Sequence, residues 1–333
     1  MTSRTRALIV ALLAVAALAV IVLTPLFGLT SISWSAILHP SSGGGQADIF
    51  WRLRVPRVLM AFLAGAGLAI SGMAFQGMFR NALATPFTLG VSSGASLGAA
   101  LYTLSGAQLA ILGISGISVA AFAGALLSIL LVYGVTQARR GMSTGTMLLA
   151  GVAVSFLFSS VILFLQYISD FTNTFLILRW IMGGLSVVGF GSVFDMLPFV
   201  AAGSLIVFYQ RHELNLMTTG EDLAASRGVN VKAVKHVLFF ATSLMVGGIV
   251  AICGPIGFVG MMSPHICRLL IGPDHRYLAP ATLLFGGSFL VLCDLLAQLV
   301  IAPAQIPVGV ITALLGGPFF LWLLIGSSNE MMG

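Results

Sequence analysis

Residues 81–138 run for 58 positions without a single Lys, Arg, Asp or Glu. A bilayer crossing takes about 20 apolar residues. The stretch therefore holds two crossings, with the surplus in turns at 81–86 and in the Gly/Ser-rich 105–116. Elsewhere the chain is little different. Over 333 residues the charged fraction is 7% and the hydrophobic fraction 59%, against about 25% charged in an ordinary soluble domain. A water-soluble globule could not cover its surface with so little charge. That excludes a soluble enzyme, a nucleic-acid reader and a disordered scaffold, and leaves an all-α polytopic membrane protein in one transmembrane domain spanning 1–333. The net charge of +6 is no basic face, because the cations are scattered between apolar runs.

Charge positions divide the chain into ten spans: 7–27, 58–79, two within 81–138, 144–169, 193–209, 236–251, 257–270, 278–301 and a last one ending near 325. The first run exceeds the apolar core of a signal peptide and is read as a retained helix. Residues 28–56 read as a loop and 170–191 as a short surface helix. Ten crossings put both termini on one side. That side collects Arg4, Arg6, Arg80, Arg139, Arg140, Arg211, Arg227, Lys232, Lys235, Arg268 and Arg276; the other holds Arg52, Arg54, Arg57 and Arg179. Eleven cations against four mark the first side as cytoplasmic. Spans two to five and seven to ten are offset by five crossings, which inverts the second set and permits an inverted repeat.

Four groups of residues stand out. Arg54-Val55-Pro56-Arg57 opens span two. Ser71-Gly72-Met73-Ala74-Phe75-Gln76-Gly77-Met78-Phe79-Arg80-Asn81-Ala82-Leu83-Ala84-Thr85-Pro86 closes it and leads to Leu89-Gly90-Val91-Ser92-Ser93-Gly94-Ala95. Gly254-Pro255-Ile256-Gly257-Phe258-Val259-Gly260 precedes Ser263-Pro264-His265-Ile266-Cys267-Arg268 and Gly272-Pro273-Asp274-His275-Arg276. Ile306-Pro307-Val308-Gly309-Val310 and Gly316-Gly317-Pro318-Phe319-Phe320 belong to the last span. Together, over nearly the whole chain, these resemble the FecCD-type permeases, BtuC-like membrane subunits of ABC importers for iron–siderophores, haem or vitamin B12.

The resemblance implies a type II importer permease in a bacterial cytoplasmic membrane. It would form a homodimer or pair with a homologous permease. Two ATPase subunits would lie beneath it, and a substrate-binding protein would dock outside. The chain has no Gly-x4-Gly-Lys-Ser/Thr loop, so ATP and Mg would act on the partner subunits. No cofactor is expected here and the chain is not expected to be an enzyme. Within the polar loop 210–235, Gly220, Glu221, Asp222, Ala225 and Gly228 resemble the coupling helix that seats in the ATPase. Thr219 is the expected cap, the two carboxylates complement the helix dipole, and Gly228 is the stop. Arg54 and Arg57, with Arg52, match a docking patch for carboxylates of the binding protein; interfacial anchoring is the plainer reading. Asn81, Leu83, Ser143 and Thr144 match the cytoplasmic gate, with ordinary turns and caps as the alternative. The family's Asn-Pro-Leu-Ala is Asn81-Ala82-Leu83-Ala84 here, a change expected to soften that turn.

Gln76 and Met73 are candidate pathway residues. For Gln76 a hydrogen bond between helices competes, and for Met73 core filling does. Asp294 is expected near the outer side with a basic partner. Cys253, Cys267 and Cys293 lack metal or redox spacing, His265 reads as a packed helix-end residue, and no metal site is expected. The substrate expectation is a large metal chelate, a ferric siderophore first, with haem and cobalamin next. An ion-coupled secondary transporter of a small solute is the alternative, although membrane carboxylates beyond Asp294 are wanting.

Overall fold

The computed structural model describes residues 1–28, 30–38, 45–111, 113–138 and 144–330. Helix α1 is Ser3–Leu23. Two short helices, α2 (Trp34–Leu38) and α3 (Gly45–Asp48), follow, and a π turn at Ile49–Arg54 joins α3 to α4 (Val55–Phe79). Much of the segment expected as a loop over 28–56 is thus helical. Pro56 does not break the path, because the π turn leads into it and the Arg52 carbonyl that its missing N–H leaves open takes a hydrogen bond from Gly189 instead. A π turn at Phe87–Val91 leads into α5 (Ser92–Leu104). The expected 105–116 turn carries a two-residue ladder, Ala110–Ile111 with Ile114–Ser115. Then come α6 (Gly116–Ala138), α7 (Thr144–Ile168), the surface helix α8 (Phe171–Ile181) and α9 (Gly191–Tyr209). The polar stretch holds α10 (Arg211–Met217) and α11 (Glu221–Ser226). The chain closes with α12 (Val231–Cys253), α13 (Val259–Ile271), α14 (His275–Leu299) and α15 (Val308–Glu330). Seven helices among the described residues are long and apolar enough to cross a membrane; α13 and the apolar part of α15 are shorter.

The core is built around α4, which packs against α9, α12, α13 and α14. Of its most apolar window 83% is buried, against 11% for α1. Small residues make that possible. A Cβ on Gly72 would overlap the Gly260 carbonyl of α13, and one on Gly65 would overlap the Gly286 carbonyl of α14. Backbones come that close only where side chains are missing, the usual means of holding membrane helices together without a hydrophobic drive.

The repeat that the span count permits has structural correspondences. In each half the second helix is cut to 13 residues, α5 in one and α13 in the other. Each is approached through a positive φ, at Gly90 (88°) and Phe258 (66°). Contacts follow the same exchange: α4 packs on α14 as α12 packs on α6, and α5 packs on α6 as α13 packs on α14.

One end of the bundle gathers Arg6, Arg80, α10, α11 and the 272–276 corner. Arg6 lies 3.7 Å from Asp274, and Asn215 Nδ2 donates to Asp274 Oδ1 at 2.9 Å. The opposite end gathers the 49–57 segment, the 183–189 loop and the 303–308 turn. There the Gly189 N–H donates to the Arg52 carbonyl at 2.7 Å, and the Gly184 N–H to that of Cys253 at 2.8 Å.

At this second end Arg57 makes a two-pronged pair with Asp294, Nε to Oδ2 at 2.8 Å and Nη2 to Oδ1 at 2.9 Å. The carboxylate side chain is 4% exposed. Gln298 Nε2 donates to the same Oδ2 at 2.8 Å. Removing one member leaves the other buried and uncompensated. Arg57→Leu should cost about 3–5 kcal/mol. Arg57→Leu with Asp294→Leu should recover most of it, read as the thermal unfolding midpoint in detergent; equal loss in both variants would show the pair is not what holds α4 to α14.

At the other end Asp274 caps α14 through the Arg276 N–H. Hydrogen bonds from the Arg276 side chain, with help from its N–H and Asn215, hold the carboxyl at about 2. The stability it contributes is complete above its unfolded value, about 3.9, and is lost as pH falls through about 2. Asp274→Asn should flatten the acid limb of a stability–pH curve over that window; an unchanged limb would assign the acid sensitivity elsewhere.

Candidate functional site

Helix α11 is presented rather than buried. Its seat is Ala224, fully buried, while Asp222, Ala225 and Leu223 (54% exposed) face away from the bundle. Glu221 accepts from Lys235 Nζ at 2.6 Å, and the lysine side chain is 5% exposed. That pair fixes α11 against α12. Gly220 caps the helix with φ 129° and no side-chain bond. Thr219, the expected cap, instead donates to the Leu216 carbonyl at 2.7 Å, because it closes α10 before the chain turns. Gly228 stops α11 as expected, with φ 87°. Its N–H donates to the Ala225 carbonyl at 2.9 Å and that of Val229 to Ala224 at 3.1 Å, a Schellman closure. Leu223, the large apolar side chain on the open face, is not singled out by sequence; its signal is a leucine between charged and small residues on a short capped helix.

The turn after α4 is closed by local hydrogen bonds. Asn81 Oδ1 accepts from the Leu83 N–H at 2.9 Å, and the Ala84 N–H donates to the Asn81 carbonyl at 3.1 Å. Thr85 and Thr88 then exchange backbone-to-hydroxyl bonds at 3.2 Å each. Where the family has a proline at position 82, the Asn81 side chain closes the turn by bonding two residues on. Leu83 is 56% exposed at the tip. Thr144 opens α7. Ser143 lies outside the described residues.

The three arginines expected to dock a partner are brought to one end but do different things. Arg57 is spent on Asp294 and donates its remaining Nη1 to Gln305 Oε1 at 2.9 Å. Arg54 turns inward to the Pro25 carbonyl at 3.1 Å and to Thr30, tying the end of α1 to α4. Arg52 alone of the three is largely exposed, beside Asp48 at 3.1 Å one helical turn away. Sequence shows the cluster but not that Arg57 has a partner 237 positions on.

Met73 is fully buried in the core and so serves packing here. Gln76 joins two helices, donating through Nε2 to the Met261 carbonyl at 3.3 Å and accepting from Arg268 at 3.1 Å. Cavities lie at three levels. Near Arg57 there is one of about 450 Å³, bordered by Arg179, Trp180, Ser186 and Gln305. Between the segments that lead into the two short helices sits a nearly apolar one of about 150 Å³, walled by Leu68, Phe87, Phe258 and Met261. At the α11 end a polar one of about 280 Å³ lies under α4. Among the described residues no three His, Cys, Asp or Glu side chains gather to hold a metal ion.

Comparison with known proteins agrees with this architecture. The FecCD transport family matches residues 12–326. The chain is 35% identical to the hemin transport system permease protein HmuU of Yersinia pestis, over 92% of each chain. It is 41% identical to the cobalamin import system permease protein BtuC of Halobacterium salinarum, over 82% of this chain and 72% of that one. A solved metal-chelate type ABC transporter in an inward-facing conformation superposes with TM-score 0.84 at 30% identity, over 96% of this chain and 99% of that one. Matched from its first helix to its last, this chain belongs to the FecCD transport family.

Proposed function

We propose that the chain is the permease subunit of an ABC importer that moves a large metal chelate across a bacterial cytoplasmic membrane. The observation that carries this reading is α11, a capped helix with an apolar and acidic face turned outward, held by a buried lysine and offered to a partner. Relatives that carry hemin and cobalamin support the substrate class. A ferric siderophore, haem and cobalamin are the candidate cargoes, in that order.

In this reading the α11 end is cytoplasmic, as the count of cations favours, and both termini lie there. Two copies, or this chain and a homologue, enclose the path. The exposed aromatic and aliphatic faces of α7 and α15, Phe156, Phe164, Leu321 and Trp322 among them, suit contact with a mate and with lipid. Closure of the ATPases on bound ATP and Mg pushes on Asp222, Leu223 and Ala225. The push passes through Glu221–Lys235 to α12 and through Asn215–Asp274 to α14. The turn at Asn81–Leu83, with Thr144 at the start of α7 and with Ser143 before it in sequence, forms the gate that opens. A wide path with few charges lets a large cargo leave, whereas a tight site would retain it.

Docking of the binding protein is assigned to Arg52, since Arg54 and Arg57 are occupied within the chain. Arg52→Glu should weaken binding-protein association by about tenfold at low salt and leave the melting temperature unchanged. A drop in stability instead would make Arg52 structural. Leu223→Glu changes only an exposed side chain. It should abolish co-purification with the ATPase and ATP-driven chelate uptake while the permease stays folded. Assembly and uptake that survive would remove α11 from coupling.

A further inference from the structure

The polar cavity at the α11 end has a distinctive chemistry. It is bordered by Gln76, Arg80, Asn81, Thr218, Arg268 and His275. His275 is 1% exposed and its Nε2 has no hydrogen-bond partner. The proton on its ring can be placed from the neighbouring bonds. Asn215 Nδ2 donates to the Asp274 carboxylate at 2.9 Å, which can only accept. Asn215 Oδ1 takes the His275 backbone N–H at 2.8 Å, which can only donate. The amide is thereby oriented, and the 2.8 Å contact between Oδ1 and Nδ1 requires the proton on Nδ1. Burial disfavours a second proton on the ring, so Nε2 keeps a bare lone pair, beside Gly77 on the cavity's border. Gly77 leaves room beside it, because a Cβ there would sit 2.9 Å from Nε2.

Two guanidiniums share the same cavity. Arg268 uses one nitrogen on Gln76. Arg80 makes no hydrogen bond or ion pair among the described residues, and its Nη1 lies 4.0 Å from where a side chain at Gly220 would begin. The nearby Asp274 carboxylate does not compete for them, being engaged by Asn215, Arg276 and Arg6. Two arginine forks beside an uncharged acceptor exclude a metal cation. They suit a ligand with anionic oxygens for the arginines and one O–H donor for Nε2.

We propose that this cavity binds an anionic phosphate accompanied by a hydroxyl donor. Hydrogen phosphate supplies the O–H on phosphorus itself, and the head group of an anionic phospholipid such as phosphatidylglycerol supplies it from the glycerol esterified to its phosphate. Basic pockets between membrane helices on the cytoplasmic side are recurrent head-group sites. The ligand would join the end of α4, the 215–220 segment and the α13–α14 corner, so its presence would stiffen the region between α11 and the 81–83 turn.

The test uses the assembled transporter. In neutral detergent at matched ionic strength and neutral pH, inorganic phosphate should raise the melting temperature by about 2–4 °C. Sulfate, which has the charge but no O–H for Nε2, should not. Arg80→Gln should keep the phosphate-free melting temperature and lose the shift; Arg268→Gln should lose it too. In parallel, wild type and Arg80→Gln are reconstituted in phosphatidylglycerol or phosphatidylcholine and examined by native mass spectrometry. If phosphate gives no shift but phosphatidylglycerol stays on the wild type and leaves Arg80→Gln, the head group is the source. Neither effect, equal shifts with sulfate, or effects that persist in both variants would overturn the site.

Discussion

Everything in this bundle leans on the burial of α4. In a bilayer, apolar side chains gain nothing by leaving lipid for protein, so helices must be held by close van der Waals contact and by polar groups with nowhere else to go. Helix α4 uses both. Gly65 and Gly72 let it meet the backbones of α14 and α13 directly, and its two ends are tied by charge, through Arg57 to Asp294 and through Gln76 to Arg268. Helices that touch α4 are thereby placed relative to one another, and the two polar ends of the molecule inherit their positions from it.

The two halves of the chain break their second helices alike. Shortened helices at matched positions of an inverted repeat are a common pointer to where a transporter works. Here the segments that lead into them, 85–88 and 256–261, face each other across the small apolar cavity. The space between them is nearly free of polar groups, which sets it apart from the charged cavity at the α11 end. One chain thus offers two kinds of interior, an apolar one at the junction of the repeats and a basic one where the ends of three helices meet.

Much of this is legible in the sequence because charge is so scarce. Each Arg or Lys outside a span is a boundary marker, and the placed spans follow from that alone. Charge misleads where its partner is hidden. Lys232 and Lys235 suggest that the loop runs to 235, yet α12 begins at Val231, since Glu221 takes up Lys235. Gly43-Gly44-Gly45 suggests a loop, yet Gly45 already opens α3. Arg54 and Arg57 announce an exposed patch, but sequence does not display Thr30 or Asp294 as their neighbours. Helix α11 is readable from turn chemistry at Gly220 and Gly228. Its outward leucine and its lysine anchor need the fold.

The contrast between α1 and α4 reaches beyond this one molecule. Only Ala17 is buried in α1, whereas most of α4 admits nothing bulkier than what it has. Random substitution among apolar residues would be felt on one face of the first helix, where Ile9, Val10, Leu13, Val20 and Ile21 pack on the core, and on nearly every face of the fourth. Lineages descending from this chain would therefore drift apart at their beginnings while keeping the stretch from Val55 to Phe79 recognisable, and an ancestor would be traced by its middle rather than its start.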